Sequence, residues 1–174
     1  LKSLSANLDC GGIYLKDEST RFNLNAFKGL GASYAIKKLL MDDPEISVFC
    51  TATDGNHGKA VAWSALINKK KSVVYVPKDT TTERIDAIAQ FGGEVIQLDM
   101  NYEETCNYAA KQSSLNKWML VQDTSWDGYE KIPALIMSGY LTHLKEMEDS
   151  VNLFYKPKVD VIFLQCGVGS WPAS

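Results

Sequence analysis

Short apolar runs rich in β-branched residues alternate along the chain with longer stretches whose apolar positions recur at helical spacing. The runs at 12–16, 47–51, 72–77, 94–98, 118–122 and 159–165 are predicted strands. Helices are predicted over 26–41, and over about 57–68, 82–91, 102–115 and 129–148. In the first of these, Leu30, Tyr34, Ala35, Ile36 and Leu39 give a broad apolar face. The pattern ends at Asp42-Asp43-Pro44, where proline cannot continue the helix. Residues 72–99 read as one βαβ unit, with Thr80-Thr81-Thr82-Glu83 opening its helix and Gly92-Gly93 closing it. The order predicts an α/β fold with a largely parallel sheet. Such sheets hold ligands beyond the carboxyl ends of their strands, so chemistry is expected just after strands.

Four segments carry candidate chemistry. Asn25-Ala26-Phe27-Lys28-Gly29-Leu30-Gly31-Ala32 sets a lysine near a helix start between an aromatic residue and glycines. A lysine amine held in a dry pocket loses part of its charged form and can form an imine with an aldehyde cofactor. Read alone, the segment better describes a solvated helix lysine with glycines for close packing. Thr51-Ala52-Thr53-Asp54-Gly55-Asn56-His57-Gly58 follows a strand and opens a helix, so its N–H groups and short polar side chains converge on one small volume suited to an anionic oxygen. Asp54 is the unexpected member, because an acid repels a bound carboxylate; capping by Thr53 or Asp54 is the plainer reading.

In Leu164-Gln165-Cys166-Gly167-Val168-Gly169-Ser170 an apolar strand ends in a glycine turn that a phosphate can approach closely. It lacks the Gly-Lys-Ser/Thr ending of a P-loop and a complete dinucleotide fingerprint. Finally, residues 122–130 offer Asp123, Asp127 and Glu130 beside Trp126 and Tyr129, as the lining of a pocket for a cationic substrate or as a surface turn.

Composition narrows the classes. A chain of 174 residues, 45% apolar, has enough material for one large or two small domains. With a net charge of −3 and no basic stripe, a small-molecule partner is expected and a nucleic acid is not. No run approaches the roughly 20 apolar residues of a membrane span, and the N-terminal stretch lacks the design of a secretion signal, so the expected setting is the cytoplasm. Cys10, Cys50, Cys106 and Cys166 are scattered, with only His57 and His143 beside them; no metal site is expected, and the thiols are expected to be buried and structural.

Taken together, in order and spacing, the four segments resemble the fold-type II pyridoxal-phosphate enzymes. Three details narrow the resemblance to the diaminopropionate ammonia-lyase family: Tyr14-Leu15-Lys16-Asp17-Glu18-Ser19 leading through Arg21-Phe22 to Asn25-Ala26-Phe27-Lys28, the run TATDGNHG with aspartate where dehydratases place serine, and VQDTSWDGYEKIP. The resemblance implies pyridoxal 5'-phosphate as cofactor, carried by Lys28, with Asn56 at its ring hydroxyl and Gly167, Val168, Gly169 and Ser170 at its phosphate. It implies α,β-elimination of D- and L-2,3-diaminopropionate to pyruvate and ammonia. Lys28 would take the α-proton of the L isomer and Asp54 that of the D isomer. Thr53, Asp54 and Asp123 would bind substrate, Asp123 gripping its second amine by a charge-assisted hydrogen bond, with Asp127 second.

The implied fold has two open parallel-type sheets. A large domain would comprise 1–41 and 129–174, with its C-terminal half missing, and a small mobile domain would comprise 42–128. A homodimer in the cytoplasm is implied. The alternatives are a serine/threonine dehydratase-like lyase, a truncated non-catalytic homologue and, resting on the glycine turn alone, a nucleotide-binding domain.

Overall fold

The computed structural model describes residues 1–154 and 159–174, with side chains described outside 151–158. A short helix α1 (Lys2–Asn7) and a 3-10 turn at Arg21–Asn23 precede α2 (Lys28–Asp42). Then come β1 (Val48–Ala52), α3 (Asn56–Ile67), β2 (Lys71–Val76), α4 (Thr82–Ala89), β3 (Gly93–Gln97), α5 (Tyr102–Asn116), β4 (Met119–Leu120) and α6 (Lys131–Phe154). The strands form one parallel sheet in the order β3-β2-β1-β4.

Local sequence explains several boundaries. Asn101 and Glu104 close a reciprocal capping box at the start of α5, and Lys117 ends that helix in the left-handed conformation. The helix α2 stops at Asp42, just short of Pro44. The βαβ unit predicted over 72–99 is β2, α4 and β3, with Thr81 at the helix N-cap position.

Both faces of the sheet are covered, which is why β1 and β2 read as unbroken apolar runs. Cys50, Ala52, Val73 and Tyr75 pack with Ala109 of α5 on one face. On the other, Val74 and Val76 pack with Ala62 of α3 and Ile88 of α4. A third cluster joins Ala32, Ala35, Ile36 and Leu39 of α2 to Ile132, Ile136 and Tyr140 of α6, with Phe49, Val61 and Ala65 behind them. Each fully buried large aliphatic side chain there contributes about 1.5–3 kcal/mol. The α2–α6 contact is close because Gly31 and Gly139 face it: a Cβ on Gly139 would stand 2.5 Å from the Leu30 carbonyl oxygen.

Two predicted strands are not formed. Residues 12–16 and 159–165 run without strand hydrogen bonding, and Val161, Ile162 and Phe163 are exposed. A β-strand needs a ladder partner, and among the described residues neither segment has one. The strand expected over 118–122 is cut to two residues, because the Gln122 side chain takes over the edge of β1: its Oε1 accepts from the Ala52 N–H and the Thr51 hydroxyl, each at 3.0 Å. The expectation of four buried thiols also fails. Cys50 is buried, whereas Cys10 and Cys166 are exposed, lying outside the packed elements.

The sheet with α3, α4 and α5 falls within 42–128, and α6 and all of α2 but its last residue fall outside it. Among the described residues no helix is long and apolar enough to cross a membrane, and no group of three or more His, Cys, Asp or Glu side chains is placed to hold a metal ion.

Candidate active site

Lys28 is the first residue of α2, and the approach to it is unusual. Phe22, Asn23 and Asn25 have φ of 53°, 58° and 54°, a left-handed conformation uncommon outside glycine. Phe22 is held there by stacking on Trp63 of α3, with ring centroids 4.8 Å apart. An ion cluster fixes the same segment to α6. Glu18 accepts from Arg21 at 2.7 Å and from Lys16 at 2.9 Å, and both cations also reach Glu146.

The Lys28 ammonium donates a 2.7 Å hydrogen bond to Oδ2 of Asp123, which follows the end of β4. Asp123 is buried, with 5% of its side chain exposed against 20% for Lys28. Burial pushes the Asp123 carboxyl up, while the His57 imidazole, the Lys28 ammonium and the Lys28 hydrogen bond pull it down; the balance lies below the usual carboxylate range. Burial also holds the His57 imidazole below its ordinary value, so near neutrality it is uncharged. The Lys28 ammonium is the cation hydrogen-bonded to Asp123.

His57, second residue of α3, is 3.6 Å from the same Oδ2 through Nδ1, and its Nε2 is 2.8 Å from the Val121 carbonyl. Gln122 and Asp123 are further fixed by Tyr129, whose hydroxyl accepts from the Gln122 N–H and donates to the Leu120 carbonyl, both at 2.9 Å.

Two clefts meet at Lys28. The first, of about 450 Å³, is lined by Lys28, Thr53, Asp54, Asn56, His57, Asp123, Gly167 and Val168 among others. The second, of about 490 Å³, shares Lys28, Asn56, Gly167 and Val168 and adds Glu18, Ser19, Gly169 and Ser170. Nine of the ten site residues singled out in the sequence, all but Asp127, thus line two adjoining clefts. Within the first, Thr53 is buried and Asp54 is exposed, its carboxylate 3.8 Å from Arg84, whose guanidinium also donates to the Asp54 carbonyl at 3.0 Å. Asp127 is exposed and lines neither cleft.

The second cleft suits a phosphate-bearing group. Ser170 Oγ is buried and makes no hydrogen bond among the described residues. Gly169 has φ of +94°, and nothing lies within 4 Å of where a Cβ would stand on it or on Gly167. A hydroxyl donor and bare main chain face the same space as an amine, which fits a phosphorylated aldehyde held at two points.

Sequence reasoning did not foresee the parts of His57 and Tyr129, nor the Glu18–Arg21–Glu146 cluster. His57 was visible as one of only two histidines, inside a strand-to-helix turn. The cluster joins residues 125 or more apart, which no local pattern reveals.

Comparison with known proteins agrees with this geometry. Residues 1–173 match the family described as Pyridoxal-phosphate dependent enzyme. The chain is 42% identical, over an alignment of 195 positions, to diaminopropionate ammonia-lyase of Salmonella typhimurium, covering 100% of this chain and 48% of that protein. It is 41% identical to the enzyme of the same name from Escherichia coli strain K12, covering 91% of this chain and 44% of that one. The crystal structure of the Escherichia coli enzyme in complex with an aminoacrylate-PLP azomethine reaction intermediate superposes with a TM-score of 0.87 at 42% identity, covering 90% of this chain and 43% of that one. The chain spans about half the length of the curated relatives it matches.

Proposed function

The chain belongs to the family of pyridoxal-phosphate-dependent enzymes, and from that membership we propose that it is part of a lyase converting D- and L-2,3-diaminopropionate to pyruvate and ammonia. The observation that carries the reading is the arrangement of two acids about one lysine: Asp123 bonded to Lys28, and Asp54 lining the same cleft. An acid at position 54 suits a substrate with a second, cationic amine, and a serine side chain there would not. This favours diaminopropionate over the hydroxy amino acids of a dehydratase.

Pyridoxal phosphate, when bound, supplies an electron sink that makes the α-proton of an amino acid acidic. Lys28 would carry it, with Asn56 at its ring hydroxyl and Gly167, Val168, Gly169 and Ser170 at its phosphate. Thr53 and the main chain of the turn at the start of α3 would orient the substrate carboxylate. Asp123 would hold the second amine by a charge-assisted hydrogen bond. Nζ of Lys28 would take the α-proton of the L isomer, and the Asp54 carboxylate that of the D isomer. For the latter, Asp54 has to leave Arg84 and turn inward, which closure of a small domain comprising 42–128 over a large domain comprising 1–41 and 129–174 would bring about. As in the family resemblance, we assign the protein to the cytoplasm as a homodimer.

The test is pyruvate release from each isomer, with pyridoxal phosphate present, by the protein and its Lys28→Ala and Asp54→Asn variants. Turnover abolished in the first, and lost only for the D isomer in the second, is expected. Equal loss for both isomers in Asp54→Asn would end the two-base assignment.

A further inference from the structure

We propose that Lys28, Asp123 and His57 form one proton-sharing unit, in which Nδ1 of His57 receives the proton that Lys28 gives up, by way of the Asp123 carboxylate. The proposal rests on Lys28 being the lysine that bonds the cofactor.

Three facts of geometry carry it. The Val121 carbonyl can only accept, so the 2.8 Å contact fixes the proton of neutral His57 on Nε2 and leaves a lone pair on Nδ1. That Nδ1 is buried and has no hydrogen-bond partner among the described residues, an arrangement costly to keep without a purpose. It faces Oδ2 of Asp123 at 3.6 Å, and the same oxygen takes the Lys28 hydrogen bond at 2.7 Å. A bare lone pair against a carboxylate oxygen is repulsive; a proton on Nδ1 turns that contact into a charge-assisted hydrogen bond.

The balance of charge explains why the proton is absent now and arrives later. With Lys28 as ammonium, Asp123 is already neutralised, and a second cation on His57 would be unmatched in a buried site. Lys28 must be a neutral amine to attack an aldehyde or to accept an α-proton. Its Nζ–H bond then breaks, Oδ2 relays the proton, and an Nδ1–H bond forms. Lys28 ends neutral, Asp123 ends ionised as before, and His57 ends as imidazolium. The unit is neutral overall at both ends of the transfer, so the swap carries no net charge into or out of the protein interior. The charged groups that act on His57 are Asp123 and Lys28. Asp54, Lys59, Glu83, Arg84 and Tyr102 line the same cleft and are unchanged in the variants below.

The chain has only two histidines, so 15N-labelled histidine gives a spectrum simple enough to titrate, with His143→Gln assigning the other signal. Lys28→Met keeps the aliphatic stem and removes the charge. In that variant, without cofactor, the His57 pKa is expected to rise by about one unit or more, with the new proton on Nδ1. Adding Asp123→Asn is expected to abolish the rise, and Asp123→Asn alone to make His57 harder to protonate than in the parent. An unchanged His57 pKa in Lys28→Met, or an equal rise with Asp123→Asn also present, would overturn the proposal. Absorbance on adding pyridoxal phosphate is read separately: if the parent shows no Lys28-dependent band while the titrations behave as expected, the cofactor assignment fails, and with it the purpose of the transfer, while the coupling of the three side chains stands.

Discussion

Asp123 and Lys28 stand 95 positions apart in the chain and meet through a single 2.7 Å hydrogen bond in a cleft that both line. Asp123 is buried and its partner is partly open to solvent, so the carboxylate has a fixed position and the ammonium can leave it. A substrate that carries its own ammonium can then take the place of Lys28. In Asp123→Asn the charge is gone and the shape is kept. The expected result is a KM for diaminopropionate raised about tenfold or more, the scale of one hydrogen bond to a charged group. KM for a neutral hydroxy amino acid should move far less. Parallel KM measurements on the two substrate types check this, and an equal change in both would mean that Asp123 does not read the second amine.

The α2–α6 contact predicts a stability effect remote from the chemistry. Gly139→Ala sets a methyl group 2.5 Å from the Leu30 carbonyl oxygen and 2.8 Å from Gly31 Cα, both main-chain atoms that cannot rotate away. The helices must separate, at a cost of about 1–3 kcal/mol. Since Lys28 opens α2, the shift should also lower activity. Urea unfolding of the variant checks the first expectation; an unchanged midpoint would mean that the helix pair is looser than its geometry implies.

The sequence was most informative where local pattern and final environment agree. The runs in β1 and β2 are largely apolar because helices cover both faces, and capping residues and Pro44 mark helix ends within a few positions. Residues 12–16 and 159–165 carry the same pattern without becoming strands, because strand formation depends on a neighbour that periodicity cannot supply. The site divides in the same way. Lys28, Asp54, Asn56 and the glycine turn stand in contiguous motifs, whereas the value of Asp123, His57 and Tyr129 comes from contacts across the fold.

The Glu146 cluster makes stability depend on acid pH. Hydrogen bonding to Arg21, opposed by burial and reinforced by Lys16, lowers the Glu146 carboxyl from 4.5 to about 2. A carboxyl lowered by folding stabilises the protein fully above its unfolded value and loses that contribution as pH falls through its folded value. The window is therefore pH 4.5 down to about 2. Glu146 is 37% exposed, so solvent screening limits the contribution to under about 1 kcal/mol. Parent and Glu146→Gln should differ in urea midpoint at about pH 6 and converge as the pH approaches about 2. A difference that widens on acidification would contradict the assignment.

Tyr129 offers the sharpest separation of support from chemistry. Its hydroxyl both accepts from the Gln122 N–H and donates to the Leu120 carbonyl, replacing the ladder that β4 gives up after two residues. Tyr129→Phe keeps the ring, including its stacking on Trp126 with centroids 4.2 Å apart, and removes only those two bonds. Two main-chain groups beside Asp123 are left unpaired, which should cost about 1–3 kcal/mol in urea unfolding. The same loss frees Asp123 to shift, and because a misplacement of about 1 Å can cost roughly a hundredfold, a partial loosening should lower kcat/KM about tenfold. Stability lost with kcat/KM intact would mean that the Lys28 hydrogen bond alone holds Asp123. Both falling together would mean that the carboxylate is positioned from its main chain, through a tyrosine that touches neither the lysine nor the substrate.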